Sequence, residues 1–184
     1  LDDEGIFDPT WPNEGEEYLG YKIVKQVGEG AYARVYKCTQ PKVANRDVIL
    51  KVSAPVGREV DLVGRMSHPN IVPVYDATYD ESRALEAICM PFRGTSTFCT
   101  LLDKAFENDM PPKTSEFIPD IVGATDSASL PREYGDGIAH LCAQIADGLQ
   151  YASDRNIVHG DIKPSNILLS GSVEPLILDF NLAT

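Results

Sequence analysis

The sequence lacks any apolar run long enough to cross a bilayer, and it has no positively charged, apolar leader at its start, so this segment is expected to make no membrane contact of its own. Basic residues are scarce. Sixteen Lys and Arg stand against 28 Asp and Glu, a formal net charge of −12. A nucleic-acid binder normally presents a basic face, so no nucleic-acid partner is expected. Cysteine is limited to Cys38, Cys89, Cys99 and Cys142, with no Cys-x-x-Cys pair and no His at metal-ligand spacing. Neither a zinc site nor a disulfide scaffold follows, and buried free thiols in a reducing cytosol are the expectation.

What is present is a globular composition, 43% hydrophobic over 184 residues, enough for one sizeable core or two small ones. Much of the negative charge is local, since residues 1–20 hold seven acids and no Lys or Arg. With Pro9, Pro12 and several Gly, that stretch reads as an acidic, flexible N-terminal extension whose one bulky anchor is Trp11.

The most informative residues lie near the other end. His159-Gly160-Asp161-Ile162-Lys163-Pro164-Ser165-Asn166 is followed by Ile177-Leu178-Asp179-Phe180-Asn181. The apolar runs 167–169 and 176–178 predict a short hairpin across Gly171, which would fold Asp179 back beside Asn166. Turn chemistry alone explains such residue types, but not their combination. The pattern resembles the catalytic loop and metal-binding loop of protein kinases. The resemblance implies that Asp161 accepts the substrate hydroxyl proton, that Lys163 neutralises charge on the transferring phosphoryl group, and that Asn166 and Asp179 hold Mg2+. Lys163 followed by Pro164 is similar to the serine/threonine class.

The same family has a glycine loop, a lysine strand and a helix glutamate upstream, and counterparts are present. Val27-Gly28-Glu29-Gly30-Ala31-Tyr32-Ala33-Arg34-Val35 sits between strand-like runs. Glycines there let backbone amides approach phosphates that a Cβ would block, and Gly28, Glu29, Gly30, Ala31 and Val35 are the implied ATP-binding residues. Ala33 stands where the family usually has a third glycine. Lys51, in the apolar run Val48 to Val52, would meet the α- and β-phosphates and needs a partner to be buried. The implied partner is Glu59, with Leu62, Val63 and Met66 at helical spacing from it. The connection from Lys51 to Glu59 is short for the family, but eight residues still reach up to roughly 28 Å. Either the helix begins late, near Pro55 or Gly57, or a stretch of chain is missing. Met90 would limit the depth of the adenine pocket, and backbone groups from Pro91 to Phe92 would meet the adenine edge.

Strand-like runs at 21–27, 33–39, 47–52, 72–79 and 85–90 and a helix near 57–67 predict an antiparallel sheet with one helix. Helices are predicted over 97–107 and 137–153, the second with an apolar stripe of Ile138, Leu141, Cys142, Ile145, Leu149 and Ala152. His140 lies off that stripe. Residues 108–134 read as a solvated insertion. By the resemblance, the fold class is α+β, a kinase-like bilobal fold: an antiparallel-sheet N-lobe with one helix over 21–92, then a hinge and a truncated, mainly helical C-lobe over 93–184. The family continues into an activation segment and a helical substrate platform, so the chain reads as a fragment of a longer kinase.

The implied activity is that of a eukaryotic-like serine/threonine protein kinase of the type found in bacteria, using ATP and Mg2+ on a protein Ser or Thr. The expected location is cytoplasmic, with any membrane anchor in segments outside this chain. Two alternatives stay open: a pseudokinase acting as a nucleotide-binding or scaffolding module, and a small-molecule kinase sharing the lobe. Gly160 replaces the arginine that commonly precedes the catalytic Asp, which argues against activation by loop phosphorylation. Asn181 replaces the usual glycine after Asp-Phe, a place where Asn tolerates left-handed backbone.

Overall fold

The computed structural model describes residues 10–55, 64, 66–107, 110, 112–124 and 130–180. Glu59, most of the helix expected near 57–67, and Asn181 lie outside the described residues. The chain divides into two compact units.

The first unit is a six-stranded antiparallel sheet in the order β1-β2-β3-β4-β6-β5. Its strands are β1 Glu17–Tyr18, β2 Tyr21–Glu29, β3 Ala33–Gln40, β4 Arg46–Ser53, β5 Asp76–Asp80 and β6 Leu85–Pro91. Alternation explains the core. Val48, Leu50 and Val52 of β4 are buried while Ile49 and Lys51 between them are not, as the two-residue period of a strand requires. Tyr36, Cys38, Leu85, Ala87 and Cys89 complete the same apolar face, each large aliphatic contributing about 1.5–3 kcal/mol by burial.

Two expectations need correction here. Residues 10–20 are not a loose extension: β1 pairs with β2, Tyr18 is buried, and Trp11 packs against the sheet core. The strand expected over 72–79 is shortened to Asp76–Asp80. Pro73 has no N–H to offer a ladder, and the amide of Val72 donates instead to the carbonyl of Ile177 at 3.1 Å.

That bond belongs to the second unit, so residues 66–73, expected inside the N-lobe, pack elsewhere. Ile71 forms a parallel bridge with Ile177. The Asn70 amide donates to the carbonyl of Pro175 at 3.0 Å and to Gln144 at 3.1 Å. Helices of this unit are α1 Phe98–Ala105, α2 Ile118–Val122 and α3 Tyr134–Ser153; its hairpin is β7 Ile167–Leu169 and β8 Pro175–Ile177.

The insertion expected as solvated loop therefore contains α2, because Ile118 is fully buried and gives that turn an apolar footing. The start of α3 lies three residues before the expected one. On its apolar side Leu141 and Ala152 are buried, whereas Cys142, placed on the stripe by spacing, is exposed. Cys142 and the half-buried Cys99 thus depart from the expectation of buried thiols, which Cys38 and Cys89 meet. Gly148 is what lets α3 approach the hairpin: a Cβ there would lie 2.9 Å from Cδ1 of Ile177.

Candidate active site

The loop 159–166 has few regular backbone bonds of its own, so its shape must come from side chains and from the hairpin that follows. His159 supplies the first lock. Its side chain is 5% exposed, its Nδ1 faces the amide of Asp161 at 3.2 Å, and its Nε2 faces the carbonyl of Leu178 at 2.7 Å. An amide can only donate and a carbonyl only accept, so Nδ1 is the acceptor and Nε2 carries the proton. One neutral tautomer therefore ties the residue before Asp179 to the backbone of Asp161. The ring of Phe180 lies against the imidazole, centroids 4.7 Å apart.

Asn166 supplies the second lock. Its amide nitrogen donates to the carbonyl of Asp161 at 2.8 Å and to the Asp161 carboxylate at 3.2 Å. Its backbone carbonyl accepts from Leu178 at 2.9 Å and its own N–H donates to the carbonyl of Lys163 at 2.9 Å. The hairpin β7–β8, in register at Ile167 and Ile177, is what returns Leu178 to this place. It arises from two buried aliphatic runs closed at a turn where Ser170 Oγ accepts from the amides of Ser172 and Glu174.

The chemistry-bearing carboxylate is thus held from both sides. Lys163 Nζ lies 2.7 Å from Asp161 Oδ2. The hydrogen bond from Lys163, aided by its charge and by Asn166, keeps the Asp161 carboxyl below the usual carboxylate range. The group therefore stands as a carboxylate at neutral pH, able to accept a hydrogen bond from a hydroxyl. Two backbone conformations complete the loop. Gly160 has φ +76° and Asp179 φ +49°, the left-handed region that costs glycine nothing and that Asp tolerates better than most. Glycine at 160 therefore has a conformational basis.

The donor set suits a hard divalent cation. With the Asn166 amide nitrogen engaged by Asp161, its carboxamide oxygen is the atom that would face a metal, and Asp179 is the residue that would add a carboxylate. Mg2+ is usually held by one or two protein oxygens plus substrate phosphates. Among the described residues no group of three or more His, Cys, Asp or Glu could hold a metal, so a cage built from protein carboxylates alone does not arise.

In the sheet unit, three of the expected nucleotide residues, Gly28, Val35 and Lys51, fall into one register row that ends on Ile88. Gly28 pairs with Val35, Val35 with Lys51, and Lys51 with Ile88. All four are half-buried, on the face opposite the apolar core. Gly28 carries no positive φ, and a Cβ there would meet the Cβ of Val35 at 3.4 Å, an ordinary van der Waals contact. Gly30 donates to the carbonyl of Ala33 at 2.8 Å and closes the hairpin tip, leaving Ala31 and Tyr32 exposed. Glu29 is exposed and faces Arg34 at 3.6 Å. Met90 is buried opposite Ile49, and the Phe92 ring carries Lys37 Nζ 4.5 Å from its centroid.

The sequence motif around His159 gives that residue no role by itself. The signal was its place two residues before Asp161, from which a ring can reach back to that amide. The Leu178 carbonyl, which no side-chain pattern marks, could not have been found.

Comparison with known proteins identifies the family. A family model described as a protein kinase domain matches residues 21–184. The serine/threonine-protein kinase PknF of Mycobacterium tuberculosis is 28% identical over 185 residues, covering 92% of this chain and 33% of the relative. Cyclin-dependent kinase 12 of Drosophila melanogaster is 28% identical over 172 residues, covering 89% and 13%. The crystal structure of the Mycobacterium tuberculosis PknI kinase domain matches with a TM-score of 0.68 at 22% identity, covering 95% of this chain and 65% of that one. The chain spans a third or less of the length of these curated relatives.

Proposed function

The chain belongs to the protein kinase domain family, and from that premise we propose that the protein it comes from is a serine/threonine kinase that transfers the γ-phosphoryl group of ATP to a protein Ser or Thr hydroxyl. The observation that carries this reading is the single constellation of Asp161, Lys163 and Asn166, fixed through His159 to the backbone before Asp179. Phosphoryl transfer asks a protein chiefly for positioning and charge stabilisation. Asp161 orients the acceptor hydroxyl and takes its proton as the oxygen attacks. Lys163, 2.7 Å from that carboxylate, places a positive charge where the transferring phosphoryl group gathers negative charge. Asn166 and Asp179 hold Mg2+, which when bound neutralises and aligns the phosphate oxygens.

In the sheet unit, Gly28, Glu29, Gly30 and Ala31 cover the phosphates and Val35 lies under the nucleotide. Lys51 pairs with the α- and β-phosphates and with Glu59, which lies outside the described residues. Met90 and Phe92 border the adenine. Among the described residues no helix is long and apolar enough to cross a membrane, and a cytoplasmic site of action is part of the proposal.

The experiment is phosphate transfer from ATP to a generic Ser/Thr protein by the full-length protein, with and without Mg2+, comparing wild type with Lys51→Met and Asp161→Ala. Mg2+-dependent transfer lost in both variants supports the reading. Transfer unchanged by Asp161→Ala overturns it, and nucleotide binding without any transfer replaces it with a pseudokinase.

A further inference from the structure

The segment 11–16 precedes the family match, which begins at residue 21, yet it is tied to the glycine hairpin by two separate routes. In the first, the guanidinium of Arg34 lies 5.0 Å from the centroid of the Trp11 ring, and the same group reaches Oε1 of Glu29 at 3.6 Å. In the second, Glu14 Oε1 accepts from the amide of Gln26 at 3.0 Å, and the Gln26 side chain donates to Oε2 of Glu29 at 3.0 Å. The two routes end on the two oxygens of one carboxylate, between Gly28 and Gly30. They also grip the irregular part of the strand, because the register of β2 against β3 shifts between Gln26 and Gly28. A hairpin whose ladder is interrupted there needs another source of order.

We propose that residues 11–16 form a strap that positions the glycine hairpin through Glu29, so that Trp11 and Glu14 set nucleotide affinity without touching the nucleotide. The consequence for nucleotide rests on the kinase reading above; the restraint on the hairpin does not. Restraining the tip raises the fraction of molecules ready to receive phosphate and lowers the apparent Kd by that fraction. Both are positioning residues.

The test uses the full-length protein with two readouts: amide hydrogen exchange over 28–32 without nucleotide, and the Kd of the fluorescent analogue mant-ATP with Mg2+. Trp11→Ala is expected to speed exchange and to raise the Kd by about 2- to 5-fold, the worth of one partly exposed cation–π contact. Glu14→Ala, at an exposed side chain, should shift both in the same direction by less. Once Glu29→Ala is present, Trp11→Ala should add little, since the two act along one path. Exchange unchanged in both single variants, or full additivity with Glu29→Ala, overturns the strap. Faster exchange in a protein that fails to bind mant-ATP upholds the strap and brings down the kinase reading, so the two failures are distinct.

Discussion

The catalytic loop and the glycine hairpin carry comparable shares of the proposed chemistry but are held in opposite ways. In the loop, His159 and Asn166 are nearly buried, and each bonds backbone atoms on either side of Asp161 or Leu178. In the hairpin, Tyr32 is 73% exposed and the contacts to Glu29 are side-chain contacts at the surface. Buried, fully paired polar networks resist deformation, while surface pairs contribute little and yield easily. Under the proposed function, the difference teaches where precision is needed: a hydroxyl would have to be aimed to within a fraction of an ångström, whereas a cover over phosphates would have to let nucleotide in and out.

The comparison breaks most visibly at Asp161. Asp161→Ala should lower phosphoryl transfer by orders of magnitude, measured as steady-state transfer by the full-length protein, with at most a small fall in melting temperature because its pair with Lys163 is half-exposed. A substitution in the hairpin such as Tyr32→Ala should leave the transfer rate within a few-fold at saturating ATP. Equal losses at both places would mean the hairpin is as exacting as the loop.

Next is the lock. His159→Ala leaves the Leu178 carbonyl and the Asp161 amide without their partner in a part-buried place, where an unsatisfied group costs up to about 1–3 kcal/mol. Denaturant unfolding should show a loss of that order, together with a fall in transfer rate, because Asp161 is no longer aimed. If stability falls and the rate does not, His159 is a core residue and nothing more.

A smaller effect tests the scaffold under the loop. Gly148→Ala places a Cβ 2.9 Å from Ile177 Cδ1, on the strand that returns Leu178 to the loop. Overpacking of this kind costs about 1–3 kcal/mol, partly offset by the roughly 1 kcal/mol that alanine gains over glycine in a helix. A net loss of about 1 kcal/mol is expected, recovered when Ile177→Val removes the clashing methyl. No recovery in the double variant would place the strain elsewhere.

How much of this was legible in advance follows the same division. Strands β2, β3, β4 and β6 were readable because alternation in Tyr21 to Glu29 or Val48 to Val52 states which side chains face the core, and the hairpin followed from two apolar runs around Gly171. The register row joining Gly28, Val35, Lys51 and Ile88 was not, because pairing between strands is a long-range fact that no single run contains. The packing of 66–73 with β8 was hidden for the same reason, as were α2 in a polar segment and the role of the acidic residues 14–16. Glu14 and Glu16 look like solvated charge until Gln26 and Arg83 are seen to receive them. Cys142 failed because helical spacing gives a face and not its limits.

The smallest effect sharpens the comparison through pH. In the folded protein the Asp161 carboxyl is depressed, first by the Lys163 hydrogen bond and then by the Lys163 charge and Asn166. A depressed acid contributes stability that is present above its unfolded pKa and is lost as pH falls through the folded one. Lys163→Met should therefore move the Asp161 titration, followed by carboxyl NMR, upward toward the ordinary carboxylate range. The stability gap between wild type and variant should be full at neutral pH and should vanish once both carboxyls are protonated. If the titration stays where it was, the Asn166 amide alone holds the carboxylate down, and the loop's electrostatics come from its buried lock and not from its exposed lysine.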